Sequence, residues 1–159
     1  MADQLTSYVT LVMPDYGGFD LYDPDFDVRD SRLIPLAIKN FAAGNGYEIT
    51  VDTAQSQFKV KLAIDTWTGA PPLPDGWAGH RDLRLELPTG LLVISERTRG
   101  AWDVTVPKGS HQARLSFRGR EEARQLAQSS APQDALTRYD GTEQYLLQLW
   151  PETRSHRPV

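Results

Sequence analysis

The stretch from Gln57 to Asp65, QFKVKLAID, alternates without a break. Phe58, Val60, Leu62 and Ile64 fall on one side, and Lys59, Lys61, Ala63 and Asp65 on the other. Successive side chains of an extended chain point to opposite faces, so a period of two describes a strand with one face in a core and one in water. A helix would scatter the same apolar residues around its circumference. The alternation returns in DLRLELP, with Leu83, Leu85 and Leu87, and in WDVTVP, with Trp102, Val104 and Val106. YVTLVM, YEITVD, LLVISE, HQARLSF and QYLLQLW are short, rich in β-branched or aromatic residues, and bounded by Gly, Pro or Asp, as strands are. Eight or nine strands are expected.

LPTGLL at 87–92 and VPKGSH at 106–111 each place Pro two residues before Gly, which reads as two tight reversals. A meander from about residue 57 to residue 118 follows, with a last strand near 144–150 joining after a longer loop. Many short strands with Gly/Pro turns predict an all-β, mainly antiparallel β-sandwich, since a parallel sheet would need helical crossovers. One helix is expected near 32–43 in SRLIPLAIKNFAAG. Ser31 is its N-cap, Leu33, Ile34, Ala37, Ile38 and Phe41 keep helical spacing, Pro35 sits in the first turn and Gly44 ends it. REEARQLAQ at 120–128 has room for about two turns in the loop before the last strand. The 159 residues suit one sandwich domain over 1–151, with 152–159 as a flexible C-terminal tail.

The chain contains no cysteine, which excludes a disulfide framework, thiolate metal sites and a cysteine nucleophile. His80, His111 and His156 share no ligand spacing, so no metal or cofactor is expected. There is no Gly-x-Ser-x-Gly elbow, and AAGNGYE leads into a strand pattern where a phosphate loop would open a helix. The opening MADQLTSYVTLVM lacks a basic leader, and no run approaches the roughly 18 apolar residues of a membrane span. A noncatalytic, cytoplasmic protein without membrane or direct nucleic-acid contact is the expectation.

The net charge of −4 conceals an asymmetry. From Asp15 to Asp30 there are six acids and one base, whereas Arg97 to Arg124 holds seven bases and three acids. Either the two regions pair within the fold or they form separate faces. Within the first lies DYGGFDLYDPDFD, with Asp15, Asp20, Asp23, Asp25 and Asp27 interleaved with Tyr16, Phe19, Tyr22 and Phe26. An EF-hand calcium loop fails here, because Val28 stands where the sharp-turn Gly belongs and no Glu completes the set. Two readings remain open: an acidic hairpin whose aromatics face the core, or a partner surface in which carboxylates steer a basic protein and the rings anchor it. For the second, the candidates are Asp15, Asp20, Tyr22, Asp23, Asp25, Phe26 and Asp27. The Pro-rich loop TWTGAPPLPDGWAGH carries Trp67 and Trp77, either as caps on an open end of the core or as a second binding loop, for example a sugar-stacking platform.

Two further segments add a resemblance. WDVTVPKGSHQARLSFRGRE and EQYLLQLWPE, with DLRLELPTGLLVIS before them, resemble small bacterial β-sandwich proteins related to competence protein J, the inhibitor partner of a DNA-entry nuclease. The likeness spans about residues 81–151: a Pro-x-Gly turn at Pro107–Gly109, a strand through Arg114 and Leu115 to Arg118-Gly119, and a final strand closing on Leu149, Trp150 and Pro151. It implies a protein-binding sandwich, an inhibitor or immunity protein that neutralises a basic nuclease or other toxin. The rival is a carbohydrate-binding module using Trp67 and Trp77.

Overall fold

Every alternating segment named above supplies a strand in the structure, a computed structural model that describes residues 1–26, 30–128 and 133–153, although the first starts only at Val60 and leaves Phe58 in a bend ahead of it. Among the described residues the elements run β1 (Gln4–Val12), β2 (Gly18–Tyr22), α1 (Leu33–Asn40), β3 (Ala42–Gly44), β4 (Glu48–Asp52), β5 (Val60–Trp67) and β6 (Gly79–Leu87). They continue with β7 (Leu91–Ser95), β8 (Ala101–Thr105), β9 (Gly109–Arg118), α2 (Arg120–Ala127) and β10 (Gln144–Pro151). The strands make two five-stranded sheets, ordered β1-β5-β10-β9-β6 and β3-β4-β2-β7-β8. The all-β sandwich is as expected.

The core lies between the sheets. Leu62 and Ile64 of β5 and Leu147 and Leu149 of β10 meet Phe19 and Leu21 of β2 and Leu92 and Ile94 of β7, all of them buried. Each such side chain contributes roughly 1.5–3 kcal/mol by leaving water. A smaller cluster of Phe58, Ala123 and Leu136 fixes α2 beside the sandwich.

A buried polar knot holds the start of α2. Arg120 Nη1 donates to the Asp52 carbonyl at 2.5 Å and to the Tyr145 hydroxyl at 2.6 Å. The Tyr145 hydroxyl donates to Glu143, which also accepts the Ala54 amide at 2.8 Å. Burial pushes the Glu143 carboxyl above its ordinary value.

Several expectations are corrected. The two Pro-x-Gly turns are corners and not hairpins: β6 belongs to the first sheet and β7 to the second, while β8 belongs to the second and β9 to the first. Turn residues dictate a change of direction but not which sheet the next strand joins, and crossing over keeps Leu87 and Leu92 facing one core. The meander therefore does not form; β7 pairs with β8, and β9 with β6 and β10. Strand β10 runs parallel to β5, the single parallel neighbour among these pairs. Two strands, β2 and β3, lie outside the expected set. Helix α1 is shorter than 32–43, because Phe41 turns left-handed at φ 62° and ends it before Gly44. At its start Asp30, not Ser31, accepts the Arg32 amide, at 3.1 Å.

Of the expected tail, Glu152 is fastened: its carboxylate accepts from Arg84 at 2.9 Å and its amide donates to Ser110 at the same distance. Residues 154–159 lie outside the described residues. No helix among the described residues is long and apolar enough to cross a membrane.

Candidate protein-binding site

The middle of the second sheet sends Phe19 and Leu21 inward, and by alternation Asp20 and Tyr22 outward. Its neighbours behave alike. β4 turns Glu48 and Thr50 outward and β7 turns Ser95 outward, opposite the inward Ile49, Val51, Leu92 and Ile94. These outward side chains floor a cavity of about 450 Å³. Asp30, Ser31 and Ile34, at the entry to α1, form one wall, and Tyr16, Arg97 and Thr98 the other.

The second wall depends on unusual backbone. Tyr16 and Gly17 both have positive φ, 51° and 80°, and Asp15 and Gly18 exchange two backbone hydrogen bonds around them. That is a two-residue turn whose twist suits a hairpin, and it lifts Tyr16 to 82% exposure. Arg97 is also left-handed, at φ 59°. Its Nη1 donates to the carbonyls of Asp15 and Tyr16, each at 3.1 Å, and its Nε to Asp20 Oδ2 at 3.1 Å. Left-handed bulky residues are sterically costly and persist where neighbours over-determine them. Here the two strained residues hold each other.

Three carboxyl groups, Asp20, Asp30 and Glu48, share the lining with one guanidinium, Arg97. The hydrogen-bonded Arg32 guanidinium holds the Asp30 carboxyl down to about 2. Asp15, which accepts from both the hydroxyl and the amide of Thr98, is likewise held below its usual value, chiefly by the hydroxyl. Glu48 accepts the Asp30 amide at 2.8 Å. Beside these carboxyl groups the lining includes one exposed aliphatic side chain, Ile34, 47% exposed.

The expected site residues separate. Asp15, Asp20 and Tyr22 gather at the cavity or its rim. Asp25 is exposed nearby, and Phe26 packs edge-on against Tyr47 with ring centroids 4.9 Å apart. Asp23 is corrected: it is fully buried, its carboxylate accepting from the Thr89 amide at 2.9 Å, the Thr89 hydroxyl at 2.8 Å and the Asp25 amide at 2.9 Å. It ties β2 to the corner after β6 and offers nothing to a partner. Asp27 lies outside the described residues. The site gains Glu48, Thr50, Ser95 and Arg97; the polar places of Glu48 and Thr50 between apolar neighbours in YEITVD were the available signal for those two.

Trp67 and Trp77 lie elsewhere, on the outer face of the first sheet, rather than capping an open end. Their loop is pinned there by Arg114, which donates to the Pro71 and Pro72 carbonyls at 3.1 and 3.3 Å. The Arg118 guanidinium covers the Trp77 ring at 4.1 Å, and the Trp67 indole nitrogen is buried. The charge asymmetry resolves in part: Arg97 and Arg99 meet the acidic segment through Asp20 and Asp15. Arg114, Arg118 and Arg120 are engaged by other elements.

No family model matches the chain, and no curated protein matches it. Among solved structures the sandwich superposes on ComJ, inhibitor of the DNA degrading activity of NucA, from Bacillus subtilis, with a TM-score of 0.60. The match covers 96% of this chain and 99% of that one at 12% identity. The fold is similar to that of ComJ. A second structure, described as crocagin biosynthetic gene J, matches with the same TM-score and coverage at 14% identity. At these identities the likeness to ComJ is one of fold, and it extends over the first forty residues as well as over 81–151.

Proposed function

We propose that the protein is a noncatalytic binder that inhibits a basic nuclease or another basic toxin, docking it on the outer face of the second sheet. The observation that carries this reading is the cavity: Asp20 and Glu48 on its floor beside Tyr22, Asp30 on one wall with Ile34, and Tyr16 on the other. A lysine or arginine projecting from a basic partner finds carboxyl groups there and rings that exclude water, which is how anchor pockets at protein interfaces are built. ComJ, of similar fold, is an inhibitor of the DNA degrading activity of NucA, which supports the choice of a nuclease as partner.

The test is inhibition of plasmid degradation by an extract of the source cells. Added wild-type protein is expected to slow degradation, less so as salt rises. A Tyr16→Ala/Tyr22→Ala variant, folded by circular dichroism, is expected to need at least about tenfold more protein for the same effect. No inhibition by the wild type, or equal potency of the variant, removes this reading.

A further inference from the structure

The two sheets have four edges, and three are guarded. β6 is lined with His80, Arg81, Asp82, Arg84 and Glu86, β3 is three residues long and lies against α1, and β8 carries Asp103. Charges and short edge strands are the usual means of keeping sheets from joining. β1 has neither. It is nine residues long, among the described residues pairs with β5 on one side only, and no charged residue occurs from Gln4 through Pro14. Leu5, Val9 and Leu11 are 54%, 55% and 42% exposed on it.

We infer that β1 is a homodimer interface, pairing antiparallel with β1 of a second copy across a two-fold axis at Tyr8. The strand's own order selects that occupant. About Tyr8 the sequence TSYVT, which lies beyond a register shift between Gln4 and Thr6, is nearly a palindrome, so Thr6 of one copy faces Thr10 of the other, Ser7 faces Val9 and Tyr8 faces Tyr8. Threonine pairs and aromatic pairs across a ladder are favourable, and no like charges meet. The neutral strand has no electrostatic complement on a basic partner, and it matches itself. Pairing fuses the first sheets of two molecules into one of ten strands. A two-fold axis through an antiparallel ladder stands perpendicular to the sheet, so both acidic cavities then open on the same side.

The test uses sedimentation of the full chain and disulfide trapping, which the absence of cysteine makes clean. Wild type is expected to sediment with twice the mass of one chain, and Val9→Lys, which sets a charge on the edge, as one chain. A mixture of Ser7→Cys and Val9→Cys proteins is expected to form a disulfide dimer under mild oxidation, at least about tenfold more than Ser7→Cys alone, because opposed Cβ atoms lie within about 4.5–5.5 Å. A wild type that stays monomeric at millimolar concentration, or a dimer that Val9→Lys leaves intact, overturns the proposal. Equal trapping of Ser7→Cys alone overturns it too, since the register would then differ.

Discussion

Arg97 shapes the cavity through its backbone as much as through its charge. Left-handed at φ 59°, it turns its guanidinium back across Gly18 onto Asp20 and the carbonyls of the Tyr16 turn. Gly18 is what allows this approach: a Cβ there would lie 2.1 Å from the Val51 carbonyl and 2.9 Å from an Arg97 nitrogen. Asp30, on the opposite wall, gives a pH test. The unfolded chain takes up its proton near 3.8, whereas the folded chain holds it off until about 2. Acidification across that window therefore favours unfolding; the contribution is present in full above it and absent below. Asp30→Asn is expected to flatten the loss of stability between about pH 4 and pH 2, measured by urea unfolding at each pH. Parallel wild-type and variant curves would show that this pair carries no proton linkage.

At the scale of elements, the corner between β6 and β7 is fixed by Asp23, which spends its buried carboxylate on Thr89. Asp23→Ala leaves the Thr89 amide without that acceptor, and is expected to cost about 2–3 kcal/mol in chemical denaturation. A loss below about 0.5 kcal/mol would mean that the corner holds without it. This residue also marks the limit of what the sequence discloses. Strands such as β5 were legible because alternation is a local property. Which strands pair was not, because β7 and β9 reach their neighbours across chain distances that no local pattern encodes. β2 was hidden inside the aspartates, although Phe19 and Leu21 alternate with Asp20 and Tyr22 as any strand would. The site was legible to the same degree: Asp15, Asp20 and Tyr22 come from one stretch, whereas Glu48, Thr50 and Arg97 arrive from β4 and from the turn after β7. Asp23 carries the same residue type as Asp20 and the opposite fate, since burial depends on what packs over it.

Across the whole molecule the two sheets share one core, and β10 stands at the middle of one of them. Leu147, in that strand, is wholly buried. Leu147→Ala is expected to cost about 3 kcal/mol, with tryptophan fluorescence and far-ultraviolet dichroism falling in a single transition. Two separate transitions would show that the sheets melt independently. The central position of β10 also bears on how the protein comes into being. During translation β1 meets β5 and β6 meets β9 while their common neighbour is still unmade, so the nascent chain carries two ribbons, each with a raw inner edge. Synthesis delivers the joining piece after all the strands it joins, and until then those edges are open to a holding chaperone or to another nascent chain.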